Sequence, residues 1–201
     1  PDKPDKLNAL RPLIGYGPES MYVAYNRFYP PDLAHYEKRN ASPDRSHNET
    51  FDALVRTGLI GFLVYMFLFA SVFYYGFKWL GVITSPRQRN LFIGLWIGGG
   101  LLVGLFFWLW KGAEFIGVGL PFGIMVGILT YTILHALFQH ENPEGHEGHE
   151  KSEIGSKPWP YQMLLIALVS AIIAHFVEIH FGIAIASTRT YFWTYAALMV
   201  V

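Results

Sequence analysis

Three uninterrupted apolar runs constrain this chain more than anything else in it. Residues 59–77, 91–110 and 115–134 hold 19, 20 and 20 residues without Asp, Glu, Lys, Arg or His. At about 1.5 Å of helix rise per residue, ~20 residues cross a hydrocarbon core of ~30 Å. A buried helix of a soluble domain rarely stays charge-free for so long, and three in succession point to a polytopic membrane protein. A fourth run, 161–174, continues into a span that carries His175, Glu178 and His180 near its far end. Residues 191–201 read as the start of a fifth.

The expected fold is therefore all-α: a polytopic transmembrane helix bundle with a helical extracytoplasmic loop. The loop is residues 1–56, where 8 Lys/Arg and 8 Asp/Glu gather. The membrane part is 57–201, with helices over about 57–78, 91–110, 115–138, 161–182 and a truncated 191–201. Residues 139–160 form a His/Glu-rich loop. The chain starts at Pro1 and stops inside an apolar run, so it reads as an internal piece of a longer protein. Formal net charge is zero and cysteine is absent. The first gives no hint of a nucleic-acid partner. The second excludes disulfides, thiolate chemistry and cysteine-based zinc sites.

Orientation follows from Lys/Arg in the short loops. Lys78, Arg87 and Arg89 flank the first connection, with no acid, and place it in the cytoplasm. Alternation then puts the Lys111–Glu114 turn outside, 139–160 in the cytoplasm, and residues 1–56 outside. Gly119, Gly123 and Gly127 repeat every fourth residue in the third span, as Gly94 and Gly98, and Gly100 and Gly104, do in the second. Small residues at that spacing let helices approach closely in lipid.

The sharpest polar constellation is Arg45-Ser46-His47-Asn48-Glu49, just ahead of a span. Ser followed three residues later by Glu, before an apolar run, is a capping-box pattern, so a helix is expected to start at His47. Its free N–H groups and positive end suit an anionic group such as a phosphate. Arg45 adds a two-pronged donor, and His47 is placed to take a proton. The plainer alternative is a capped surface helix.

His175 and Glu178 are three apart and share a helix face. Ionisable groups inside a span usually face an interior or a wet cavity, so Glu178 is expected to point inward, partnered by His175 or Arg189. Leu165 is then expected to face lipid. The alternative is an interfacial cluster or internal ion pair. The His140–Glu150 stretch has metal-tract composition but reads better as a solvated linker.

Leu13-Ile14-Gly15-Tyr16-Gly17-Pro18-Glu19, followed by Ser46-His47-Asn48-Glu49-Thr50, Leu54 and Thr57-Gly58-Leu59-Ile60-Gly61, resembles the signature of the O-antigen ligase/polymerase superfamily. The resemblance covers roughly residues 7–75. It implies a multi-pass protein of the bacterial cytoplasmic membrane that moves a glycan from a polyprenyl-diphosphate carrier to an acceptor hydroxyl, on a glycan or lipid, at the outer face. It implies no metal and no cofactor. Carried over, His47 is the base, and Arg45, by proximity, a diphosphate binder. Asn48, from the motif, and Arg27, a further loop arginine like Arg11, are substrate-binding candidates. His175 and Glu178 are added as substrate-binding candidates from their position in the membrane alone. The alternative function is a non-catalytic membrane subunit or scaffold of a larger complex, with membrane-protein partners.

Overall fold

The computed structural model describes residues 5–26, 28–38, 44–141, 159–182 and 184–200. Among these there is no strand. The helices are α1 (Arg11–Ile14), α2 (Met21–Tyr25), α3 (Glu49–Trp79), α4 (Pro86–Lys111), α5 (Ile116–Glu141), α6 (Trp159–Phe181) and α7 (Ala186–Val200), with three short 3₁₀ turns at Asn8–Leu10, Pro31–His35 and Ala113–Phe115. Four helical stretches are long and apolar enough to cross a membrane: Glu49–Trp79, Pro86–Lys111, Ala113–Phe138 and Tyr161–Phe181. The chain is a multi-pass membrane protein in contact with a lipid bilayer.

Two compact units divide it. One is Pro1–Leu68 with Ile179–Ile183; the other is Phe69–Glu178 with Ala184–Val201.

In the second unit, α4 and α5 pack through glycine. A Cβ at Gly99 would meet the carbonyl of Gly123, and one at Gly123 would meet the carbonyl of Gly99. Gly127 lies in the same way on the Leu95 carbonyl, and Gly119 lies against Phe107 and Val103. The α5 stripe is thus a backbone contact face. On α4 the working glycines are Gly99 and Gly100, with Gly104 in ordinary contact; Gly94 and Gly98 meet nothing within 4 Å. The expected Gly94–Gly98 pair lies on another face, because one residue of shift turns a helical side by about 100°.

Aromatic rings fill the rest of this unit. Phe69 lies 4.9 Å from both Phe176 and Phe192, Phe73 lies 5.4 Å from Trp96, and Phe92 lies 5.4 Å from Tyr131. Tyr131 is buried and donates its hydroxyl to the Val82 carbonyl at 2.9 Å, so its one polar atom is satisfied. Leu165, Leu168, Val169, Ile172 and Phe176 form the buried stripe of α6. Their 3- and 4-residue steps keep them on one side of the helix. Leu165 is 2% exposed, which overturns the lipid-facing expectation.

A capping box does form, at the start of α4. Ser85 accepts from the Gln88 N–H, and the Gln88 side chain accepts from the Ser85 N–H. Pro86 occupies the first helical turn, where its missing N–H costs nothing.

Candidate functional site

The first unit brings the two halves of the signature together through the backbone. The Tyr16 N–H donates to the Val55 carbonyl at 2.8 Å, and the Gly17 N–H donates to the Arg56 carbonyl at 3.0 Å. Glycine makes this approach possible. Gly15 has φ 71°, and a Cβ there would lie 2.5 Å from the carbonyl of Arg56 and the nitrogen of Thr57. Gly58 has φ 66° and ψ −171°, and a Cβ there would collide with the carbonyl of Leu13. Each glycine sits in a backbone region essentially reserved for glycine, and each makes room for the other's neighbour.

Gly58 also interrupts α3. A continuous helix of 31 residues would be about 46 Å long, well over the ~30 Å hydrocarbon core. Residues 59–79 alone give about 31 Å. The preceding segment, 49–57, is thereby a separate helical segment that carries Glu49, Asp52 and Arg56. Its two free carbonyls at the break, Val55 and Arg56, are the ones that receive the turn.

Arg11 braces that turn from its other side. Its Nη1 donates to the Gly15 carbonyl at 3.0 Å and its Nε donates to Asp5 at 2.8 Å, with the guanidinium 5.1 Å from the Tyr16 ring centre. The hydrogen bond to Asp5 raises Arg11 above its ordinary value. Further along, the Tyr29 hydroxyl donates to Glu37 at 2.9 Å, and desolvation followed by that bond pushes the phenol up.

The start of α3 differs from the capping-box expectation. Helix begins at Glu49, and the cap is Asn48, whose Oδ1 accepts from the Phe51 N–H at 3.2 Å. Ser46 instead donates its hydroxyl to the Asn48 carbonyl at 2.8 Å. The reason lies in His47. Its φ of 54° is left-handed, so it cannot serve as the first residue of a right-handed helix. Asn48 also donates its Nδ2–H to the main-chain oxygen of His180 at 2.9 Å. That oxygen lies in the last turn of α6, where carbonyls lack intrahelical partners. One amide therefore closes the N-terminus of one helix and the C-terminus of another.

His47 is exposed beside this junction, and Arg45 is partly buried. Arg45 Nη2 reaches Glu19 Oε1 at 3.4 Å, which links the His47 loop to the glycine turn. Glu19, with φ 53°, and His47 are the two non-glycine residues with positive φ among those described. Such backbone costs on the order of 1–3 kcal/mol and persists only where neighbours enforce it. Beneath the turn, Asp52 and Arg56 pair at 3.2 Å across one helical turn, with Asp52 buried. Asp52 Oδ1 and Arg56 Nε meet no further partner among the described residues.

The structure thus gathers Arg45, His47 and Asn48 in the first unit, with Asn48 committed to helix ends. Arg27 lies outside the described residues, as does the tract 142–158 that contains most of the His/Glu loop. His175 and Glu178 belong to the second unit. His175 Nδ1 and Glu178 Oε2 are 3.4 Å apart, so the expected partnership is present. The Glu178 side chain is 52% exposed, however, so it does not point inward. Near a helix end a carboxylate can turn outward and stay hydrated, which avoids the cost of burial. Among the described residues no group of three or more His, Asp or Glu is arranged to hold a metal.

Sequence reasoning named Arg11 only as a further loop arginine and Glu19 only as a motif residue, and it gave no role to Asp52, Arg56 or the His180 carbonyl. The four-residue spacing of Asp52 and Arg56 was a usable signal. The His180 contact crosses 132 positions and left no local trace. No protein-family model, curated protein or solved structure matches the chain.

Proposed function

We propose that the chain belongs to a glycan transferase of the O-antigen ligase/polymerase type, in the bacterial cytoplasmic membrane with residues 1–56 on the outer face. The observation that carries this reading is the docking of the Gly15-Tyr16-Gly17 turn on the Val55 and Arg56 carbonyls. Two separated parts of one signature meet at a membrane boundary, and an exposed histidine with enforced backbone sits on the same loop as an arginine.

The chemistry suits these groups. The acceptor hydroxyl oxygen forms a bond to the anomeric carbon of the carrier-linked glycan. The bond from that carbon to the carrier's terminal phosphate oxygen breaks, and its electron pair leaves on the polyprenyl diphosphate. His47 takes the hydroxyl proton. Arg45 exchanges its exposed Glu19 partner for the diphosphate, whose growing negative charge it neutralises. Asn48 holds the backbone from which His47 projects.

The test is glycan transfer in cells that express the full-length protein. His47→Ala should reduce transfer by on the order of 10²–10⁴, with normal expression and membrane insertion. Copurification of a polyprenyl-diphosphate glycan with the native protein, read by mass spectrometry, checks the carrier independently. Native transfer rates in His47→Ala would remove the base assignment and leave the scaffold reading as the better one.

A further inference from the structure

The residues just ahead of the glycine turn expose an apolar face that the fold leaves uncovered. Leu7, Leu10, Leu13 and Ile14 are 44%, 48%, 43% and 45% exposed. Residues 8–14 are helical through the 3₁₀ turn Asn8–Leu10 and α1. At 100° per residue those four side chains fall within an arc of about 120°. Asn8 lies on the opposite side, and Arg11 borders the face next to Leu7.

The position of this face is fixed by contacts already described. The Leu13 main chain lies against Gly58, and Gly15 lies against Arg56 and Thr57. Gly58 is the residue at which the polar helix ends and the membrane run begins. Immediately after it, Leu59, Ile60, Leu63 and Val64 are all exposed and form the lipid-facing side of the span. The apolar face of residues 7–14 therefore starts at the depth where water gives way to hydrocarbon, continuous with a surface that lipid covers.

We propose that residues 7–14 form an interfacial anchor, lying in the headgroup–acyl boundary of the same bilayer with Leu7, Leu10, Leu13 and Ile14 immersed. A short amphipathic segment binds such a boundary through its apolar area and through attraction of basic residues to anionic lipid. Here Arg11 is already paired with Asp5. Apolar burial thus drives the contact, and anionic lipid is dispensable. The anchor holds the glycine turn at a set depth, because Arg11 of the same helix binds the Gly15 carbonyl. This inference requires a membrane protein and is independent of the proposed reaction.

The chain has no native cysteine, so single spin labels are unambiguous. Labels at Leu7→Cys, Leu10→Cys and Leu13→Cys are placed in the full-length protein, reconstituted in phosphatidylcholine vesicles with and without phosphatidylglycerol. Leu63→Cys serves as the lipid reference and Tyr36→Cys, in the polar segment and 87% exposed, as the water reference. The ratio of oxygen to nickel-chelate accessibility should rise at Leu7, Leu10 and Leu13 towards the Leu63 value, equally in both lipids. Asn8→Cys should stay on the Tyr36 side, which separates immersion of one face from general unfolding. Ratios at all three leucines equal to that of Tyr36 would overturn the anchor. So would protection from both reagents with spin broadening that disappears on dilution with unlabelled protein, since a second copy would then cover the face. If Leu13→Cys weakens the packing at Gly58, Leu7→Cys and Leu10→Cys still decide the question.

Discussion

Asn48 donates its Nδ2–H to the main-chain oxygen of His180 while its side-chain Oδ1 caps α3. The two functions can be separated chemically. Asn48→Asp keeps the acceptor that caps the helix and loses the donor to His180. If only the cap mattered, this variant would melt like the native protein. We expect it to lose at least about 1 kcal/mol, the scale of a buried acceptor left without its donor. Asn48→Ala removes the cap as well, adding about 0.5–2 kcal/mol. Unfolding midpoints in detergent for the three proteins give the comparison, and a native-like Asp variant would reduce Asn48 to a simple cap.

Gly15 and Gly58 should tolerate no side chain. Alanine at either position must adopt a glycine-only backbone and meet another strand of main chain. Gly17 also has positive φ, but a Cβ there meets nothing within 4 Å. Gly17→Ala should therefore cost only conformational strain, about 1–2 kcal/mol. Gly15→Ala and Gly58→Ala should cost clearly more and release the turn. Protease sensitivity of residues 5–26 in the purified protein reads this directly. Equal sensitivity for all three variants would contradict the reciprocal packing.

On α6 the structure reverses the expected order of sensitivity. Leu165→Ala opens a cavity in a fully packed aromatic and aliphatic core and should cost about 2–5 kcal/mol. Glu178→Gln weakens a pair with an exposed carboxylate and should change stability by no more than about 1 kcal/mol. Thermal melts in detergent distinguish the two. A larger loss for Glu178→Gln would show that the carboxylate has a structural partner beyond His175.

Orientation is testable by labelling. Lys111→Cys should react with an impermeant thiol reagent in intact cells, and Arg87→Cys only after lysis. Arg87 is preferred to its neighbour Gln88 because Gln88 closes the cap of α4. Reaction of Arg87→Cys from outside would invert the assignment.

The membrane runs were legible because the signal is local: the absence of charge over about 20 residues cannot be met in many ways. The α5 glycine stripe was legible for the same reason. On α4 the consecutive Gly98, Gly99 and Gly100 offered several faces, and only packing selected one. At the candidate site, Ser46 and Asn48 are both good caps, and spacing favoured Ser46. The left-handed backbone of His47 decided for Asn48, and nothing in the sequence marks that conformation. Glu178 was misplaced because burial was inferred from chain position, while a side chain near a helix end is free to turn away. The motif pattern named Gly15 and Gly58 without relating them in space, and only the reciprocal backbone collisions show that they meet.

The break at Gly58 also bears on how the protein tolerates different membranes. An apolar helix adjusts to a thinner or thicker bilayer by changing its tilt. In an unbroken helix of 31 residues, that change would swing the polar end sideways and carry His47 with it. Here the polar segment is fastened to the glycine turn by main-chain hydrogen bonds, and Gly58, the non-helical residue inside α3, lies just beyond the fastening. Changes in tilt should therefore concentrate at that one pair of backbone angles, and His47 should move less than it would at the end of an unbroken helix.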